Sequence, residues 1–132
     1  MSAIRVVSDT AVNEQDKTVA IPDAGKGARI HSVRVEYTAT AVAGTRTLEV
    51  RYLETGGDVV WATEIVTDYV ASDVRVVNLS PAAALLAPAD AGDEGSQHCA
   101  GGMPANGSVR VIATAGSDTG DDMVVHVVYE ID

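Results

Sequence analysis

Between Arg29 and Trp61 the chain alternates apolar and polar side chains with a period of two. His31, Val33, Val35 and Tyr37 alternate with Ser32, Arg34, Glu36 and Thr38, and Leu48, Val50 and Tyr52 alternate with Thr47, Glu49 and Arg51. Successive side chains of a strand point to opposite faces, so this pattern buries one face and wets the other. On a helix the same residues would be scattered around the axis. After Gly56-Gly57 a third short run ends on Trp61, and the whole stretch holds three of the five aromatic residues. It predicts a three-strand meander, with Ala43-Gly44 as the first hairpin connection and Thr55-Gly56-Gly57 as the second.

The rest of the chain reads the same way. Ile4–Val12 has β-propensity but poor alternation, which predicts an N-terminal arm or first strand within residues 1–16. Lys17–Pro22 is a short strand stopped by Pro22, followed by a turn at Asp23–Gly27. Val70–Leu79 is a strand with Val74 and Val76 on one face and Arg75 and Val77 on the other. Pro81–Leu86 has the composition of one helical turn. Ala87–Asn106 is rich in Ala, Gly, Pro and Asp and has no period, which predicts a long loop of the kind that serves function or a partner. Ser108–Ala115 is a strand, Gly116–Gly120 a turn, and Asp122–Ile131 a strand apolar on both faces and so central in its sheet.

About eight strands and no helix of ordinary length predict an all-β fold, an antiparallel β-sandwich occupying 17–132 as one domain, with the long loop at 87–106. The expected core is Val33, Val35, Tyr37, Leu48, Val50, Tyr52, Trp61, Val74, Val76, Val109, Val111, Val125 and Val127. A chain of 132 residues can bury roughly two-thirds of its unfolded surface. The abundant Val and Thr are stiff at χ1 and suit a pleated sheet.

The formal net charge is −10, which repels polyanions and disfavours nucleic acid as a partner. The charge is uneven: residues 81–132 hold eight acidic residues against Arg110 alone. Cys99 is the only cysteine, so no disulfide can form within the chain, and an oxidising compartment gets no support. The start, MSAIRVVSDT, lacks the apolar run of a signal peptide, and no stretch approaches the length of a membrane span. Synthesis in a cytoplasm and no membrane partner are the expectations.

Candidate chemical sites are few. Asp118, Asp121 and Asp122 flank a Gly-containing turn, and clustered carboxylates can bind Ca²⁺; the same residues also serve turns by themselves. His98-Cys99, with Asp93 and Glu94 near, lacks the ligand spacing of a zinc site and reads as a free, inert thiol in a loop, where Cys99→Ser should change little. His31 and His126 lie in strands and read as core or interface residues. Gly25–Arg29 lacks phosphate-loop spacing and precedes a strand. No nucleophile-elbow pattern is present. A glycosidase-type carboxylate pair would meet only in three dimensions, and the low aromatic content disfavours a sugar-stacking site. The expectation is no catalytic residue, no metal, no cofactor and no enzymatic activity.

Ile30–Trp61 and Met103–Glu130 together resemble a group of small virion proteins of tailed bacteriophages. The matching residues are Tyr37-Thr38-Ala39-Thr40, Arg110-Val111 and Asp121-Asp122-Met123-Val124-Val125, within about half the chain; Asn106 interrupts the family's P-A-G-like turn. The resemblance implies a β-sandwich of jelly-roll type on the capsid surface, most simply a decoration or cement protein that binds the major capsid protein or another virion protein, as a homo-oligomer with a trimer favoured. A neck, tail or fibre-base protein is the alternative within virions, and a glycan- or host-surface-binding module the alternative outside them. The residues expected to make partner contacts are Ile4, Arg5, Val6 and Val7 of the arm, Lys17, Lys26 and Arg29 of the more balanced N-terminal part, and Gln97 and His98 of the long loop.

Overall fold

The computed structural model describes residues 3–11, 16–65, 69–86, 94–116 and 119–131. Its strands are β1 (Ala3–Asp9), β2 (Asp16–Ala20), β3 (Ala28–Thr38), β4 (Thr47–Leu53), β5 (Val59–Glu64), β6 (Val74–Ser80), β7 (Glu94–His98), β8 (Gly102–Met103), β9 (Ser108–Ala115) and β10 (Asp122–Ile131). One sheet has the order β1-β10-β3-β6-β7, with β8 also on β3, and the other has the order β2-β9-β4-β5. With β7 and β8 set aside, the eight remaining strands pair first with last and inward in turn: β1 with β10, β2 with β9, β3 with β6, β4 with β5, all antiparallel. A ribbon of four such pairs wrapped into two facing sheets is a jelly roll.

The inner faces carry the expected alternation. Val33, Val35, Tyr37, Leu48, Val50, Tyr52, Val109, Val111, Val125 and Val127 are all fully buried, joined by Ile30, Ile65, Tyr69, Leu79 and Met123. Trp61 packs at the rim, its ring 4.7 Å from that of Tyr52. β10 lies between β1 and β3, the central place its two apolar faces predict.

Several expectations are corrected. Arg29–Trp61 is not a three-strand meander: β3 and β4 lie in different sheets, so the Ala43-Gly44 segment arches between layers and is not a hairpin turn. Only β4 and β5 form a hairpin, and Gly56 and Gly57 there have φ of 100° and 92°, a region that favours glycine. β6 presents its other face: Val77 and Leu79 are buried while Val74 is 45% exposed, because Val77 lies opposite Val35 and Leu79 opposite Val33. His31 does not follow Val33 inward. A bulge pairs Val128 with Ser32 and then Tyr129 with Ile30, so Ile30 takes the inward place and His31 is exposed.

Part of the long loop is strand. β7 lies parallel to β6, β8 pairs with the start of β3, and residues 87–93 lie outside the described residues. Pro81–Leu86 forms no helical turn; Leu86 instead bridges Ser96. Cys99 does lie in a loop, the short connection from β7 to β8, but as a fully buried core residue and not an exposed thiol. Burial pushes its thiol pKa up, which keeps it protonated and unreactive. Cys99→Ser is therefore expected to cost about 1–3 kcal/mol, as a more strongly polar group buried in the core with the Tyr52 hydroxyl as its polar neighbour.

Candidate functional site

β1 is an edge strand, and its seven residues divide between two faces. Arg5, Val7 and Asp9 lie opposite Tyr129, Val127 and Val125, on the core side, while Ile4, Val6 and Ser8 lie opposite Glu130, Val128 and His126, on the outside. Val7 packs against the core. Ile4 and Val6 are 69% and 64% exposed, the two most exposed large apolar side chains among the described residues. Apolar side chains exposed on an edge strand make this strip the candidate contact surface.

Next to this strand is a shallow depression of about 550 Å³ lined by Lys26, Arg29, Gly102, Met103, Glu130 and Ile131, among others. It forms where β8 meets the start of β3 and the end of β10. Glu130 holds the row together, accepting from Arg29 Nη1 at 3.3 Å and lying 3.0 Å from His31 Nε2. Because Glu130 stands between Ile4 on β1 and Arg29 on β3, the apolar strip and the basic rim are continuous.

Of the nine residues expected to contact a partner, Ile4, Val6, Lys26 and Arg29 come together here, and Arg5 lies exposed at the strand's free edge. Lys17 and Gln97 do not join them, since both are buried. Lys17 Nζ donates to Asp9 Oδ1 at 2.9 Å and to the Ala11 carbonyl, tying β2 to β1. Gln97 Nε2 donates to the Glu64 carbonyl at 2.7 Å and to Thr63 Oγ1, tying β7 to β5. His98 is exposed, 3.0 Å from the Pro81 carbonyl, on the edge of the sheet opposite β1.

The turn carboxylates have separate fates. Asp118 lies outside the described residues. Asp121 is fully buried and both its oxygens are engaged: Oδ2 accepts from Tyr37 Oη at 2.6 Å and Arg46 Nε at 3.0 Å, and Oδ1 from the Thr40 amide at 2.8 Å and Arg46 Nη2 at 3.3 Å. Arg46 also donates to the Gly44 carbonyl and Thr40 Oγ1. Burial, reinforced by Asp121, pushes the Tyr37 phenol pKa up. This network holds the β3–β4 arch against the start of β10. Gly116 closes the same end, since its φ is 75° and a Cβ there would overlap the Thr45 carbonyl.

Among the described residues no group of three or more His, Cys, Asp and Glu is placed to hold a metal ion. His98 is exposed and Cys99 fully buried, so their adjacency in sequence makes no ligand pair. Of the buried charges, Lys17 was expected at a partner contact and Asp121 in a turn or cation cluster, and Arg46 belongs to no motif. Their signal was parity: Lys17 is in step with Val19, Arg46 with Leu48 and Val50, and Asp121 with Met123 and Val125.

No protein-family model matches the chain, and no curated protein does. Among solved structures, the chain is similar to the capsid asymmetric unit of the cyanophage Pam1 at a TM-score of 0.42 and 18% identity, over 100% of this chain and 84% of that one. It is similar to infectious bursal disease virus, Gx strain, at 0.39 and 11%, over 98% of this chain and 32% of that one. An exo-β-agarase matches at 0.40 and 10%, over 95% of this chain and 21% of that one.

Proposed function

We propose that this chain is a structural virion protein of the decoration kind: a small jelly roll on the outside of a tailed-phage head that contacts the major capsid protein, braces the shell as a homo-oligomer, and catalyses no reaction. The observation that carries the reading is how the two stretches of the phage resemblance meet. Tyr37-Thr38 ends β3 and Asp122–Val125 opens β10; the strands are paired, and Asp121 binds the Tyr37 hydroxyl and the Thr40 amide across them. Apart from Arg110-Val111 on β9 of the other sheet, the shared residues belong to one braced structural unit, as expected of scaffold proteins, and not to a constellation for chemistry.

The strip of Ile4 and Val6 beside Lys26 and Arg29 supports the same reading, because apolar strand surface with a charged rim suits a contact with a larger protein. A neck, tail or fibre-base protein would use the same strip; labelling virions with an antibody fragment separates decoration spread over the whole head from a signal at a single vertex.

The test is rebinding of the double variant Ile4→Asp/Val6→Asp to heads that lack the protein. Occupancy is expected to fall sharply while the circular dichroism spectrum and unfolding midpoint stay near wild type. Wild-type occupancy would remove the strip from the interface. Failure of the wild-type protein itself to bind heads, with binding on a glycan array, would replace the virion reading by a glycan-binding one.

A further inference from the structure

β1 is hydrogen-bonded to β10 on one side and to no described strand on the other. The remaining edges are shorter or partly covered. β2 has five residues, β7 is bridged at Ser96 by Leu86, and β5 is tied at Glu64 by Gln97. β1 runs for seven residues with no Pro, Gly or Lys to discourage pairing.

Its two charged residues are also incompletely matched. Arg5 is exposed and has no ion-pair or hydrogen-bond partner among the described residues. Asp9 directs Oδ1 to Lys17 Nζ and to the Ala11 amide, and Oδ2 has no partner among them.

We propose that β1 pairs edge to edge with β1 of a second copy of this chain, antiparallel about a two-fold axis through Val7, so that Arg5 of each copy faces Asp9 of the other. An axis through a residue keeps inward face beside inward face, whereas one between residues would set apolar against wet faces. With the axis at Val7, Val7 faces its own copy, Val6 faces Ser8, Ile4 faces Thr10, and both Arg5–Asp9 pairs form. An axis at Val6 puts Arg5 opposite Val7 and Asp9 opposite Ala3. An axis at Arg5 sets two guanidiniums face to face. Only the Val7 register matches both charges, and opposite charges directly across a strand pair are favourable where like charges are not.

The net charge of −10 repels copies at a distance, so association depends on such local matching. The pairing satisfies the free backbone groups of both edges and closes on itself, as an isologous two-fold contact does. It does not depend on the virion reading, and it replaces the trimer that the phage resemblance implies with a two-fold pair.

Sedimentation and light scattering of the full chain should give a dimer. Arg5→Glu should raise its dissociation constant roughly tenfold, since two attractive pairs become repulsive. Mild oxidation of Val7→Cys should trap a disulfide-linked dimer, while Val6→Cys and Ile4→Cys should not be trapped, because their copies lie beyond disulfide reach in this register; wild type, whose Cys99 is buried, is the control. A monomeric or trimeric wild type overturns the proposal, as does an unchanged dissociation constant in Arg5→Glu or trapping at Val6 without trapping at Val7. Arg5 is exposed, so its variant decides the matter should Val7→Cys disturb the rim of the core.

Discussion

The Arg46–Asp121 and Lys17–Asp9 pairs both join one sheet to the other, and their surroundings differ. Arg46 and Asp121 are each fully buried, whereas Lys17 is buried against a carboxylate whose side chain is 33% exposed. The first pair is enclosed by Tyr37, Thr40 and the Gly44 carbonyl, so neither charge can turn to water if its partner is lost. The second lies beside the open edge of β1, where water can solvate Asp9. The difference teaches that a buried charge constrains the fold in proportion to how completely its partner is shut away from solvent. The closure on the opposite flank, from Gln97 to Thr63 and Glu64, uses no charge at all.

The largest effect is therefore expected at Asp121. Asp121→Asn leaves the Arg46 guanidinium buried without its counter-ion and should cost about 3–5 kcal/mol in a urea titration. The double variant Arg46→Met/Asp121→Leu should be less destabilised than this single variant, since it removes both charges. If Asp121→Asn costs no more than the Lys17 variant, burial of the partner is not what separates the two pairs.

Lys17→Met should cost less, about 1 kcal/mol, because the ammonium is replaced by an apolar chain of similar length and Asp9 stays hydrated. Chemical denaturation on the same scale measures it, and a cost as large as that at Asp121 would break the comparison from the other side.

The smallest effect concerns pH. The hydrogen bond from Lys17, helped by the Ala11 amide, holds the Asp9 carboxyl below its ordinary 3.8. A carboxyl lowered on folding adds stability that is present above its unfolded pKa and is lost as pH falls through the folded one. The stability difference between wild type and Asp9→Asn should accordingly be level from neutral pH down to about 5 and narrow below about 4. A difference that stays level down to pH 3 would show that the pair contributes no proton-linked stability.

Much of this architecture is legible in the sequence because alternation is a local property. A strand with Val33, Val35 and Tyr37 in step has one dry face whatever it pairs with, so the core of β3, β4, β9 and β10 follows from the residues alone. The same parity places Lys17, Arg46 and Asp121 inward, although charged residues are easily assigned to water by type. β7 was less legible: Glu94–His98 has no apolar alternation, and it becomes a strand only because β6 offers it an edge.

The sequence by itself thus determined the strands other than β7 and β8, and most of their inward faces. The tertiary structure decided which strands meet. An alternating run satisfies a hairpin and an arch between sheets equally well, since both bury one face, so the separation of β3 from β4 could not be read from either. It also decided the face of β6, where Val74, Val76 and Val77 offer apolar side chains on both sides and the register against Val33 and Val35 settles the matter. The juxtaposition of the apolar strip and the basic rim has the same origin. Ile4 and Arg29 are 25 positions apart in the chain, and they become neighbours only because β10, from the far end of the sequence, lies between β1 and β3 and places Glu130 between them.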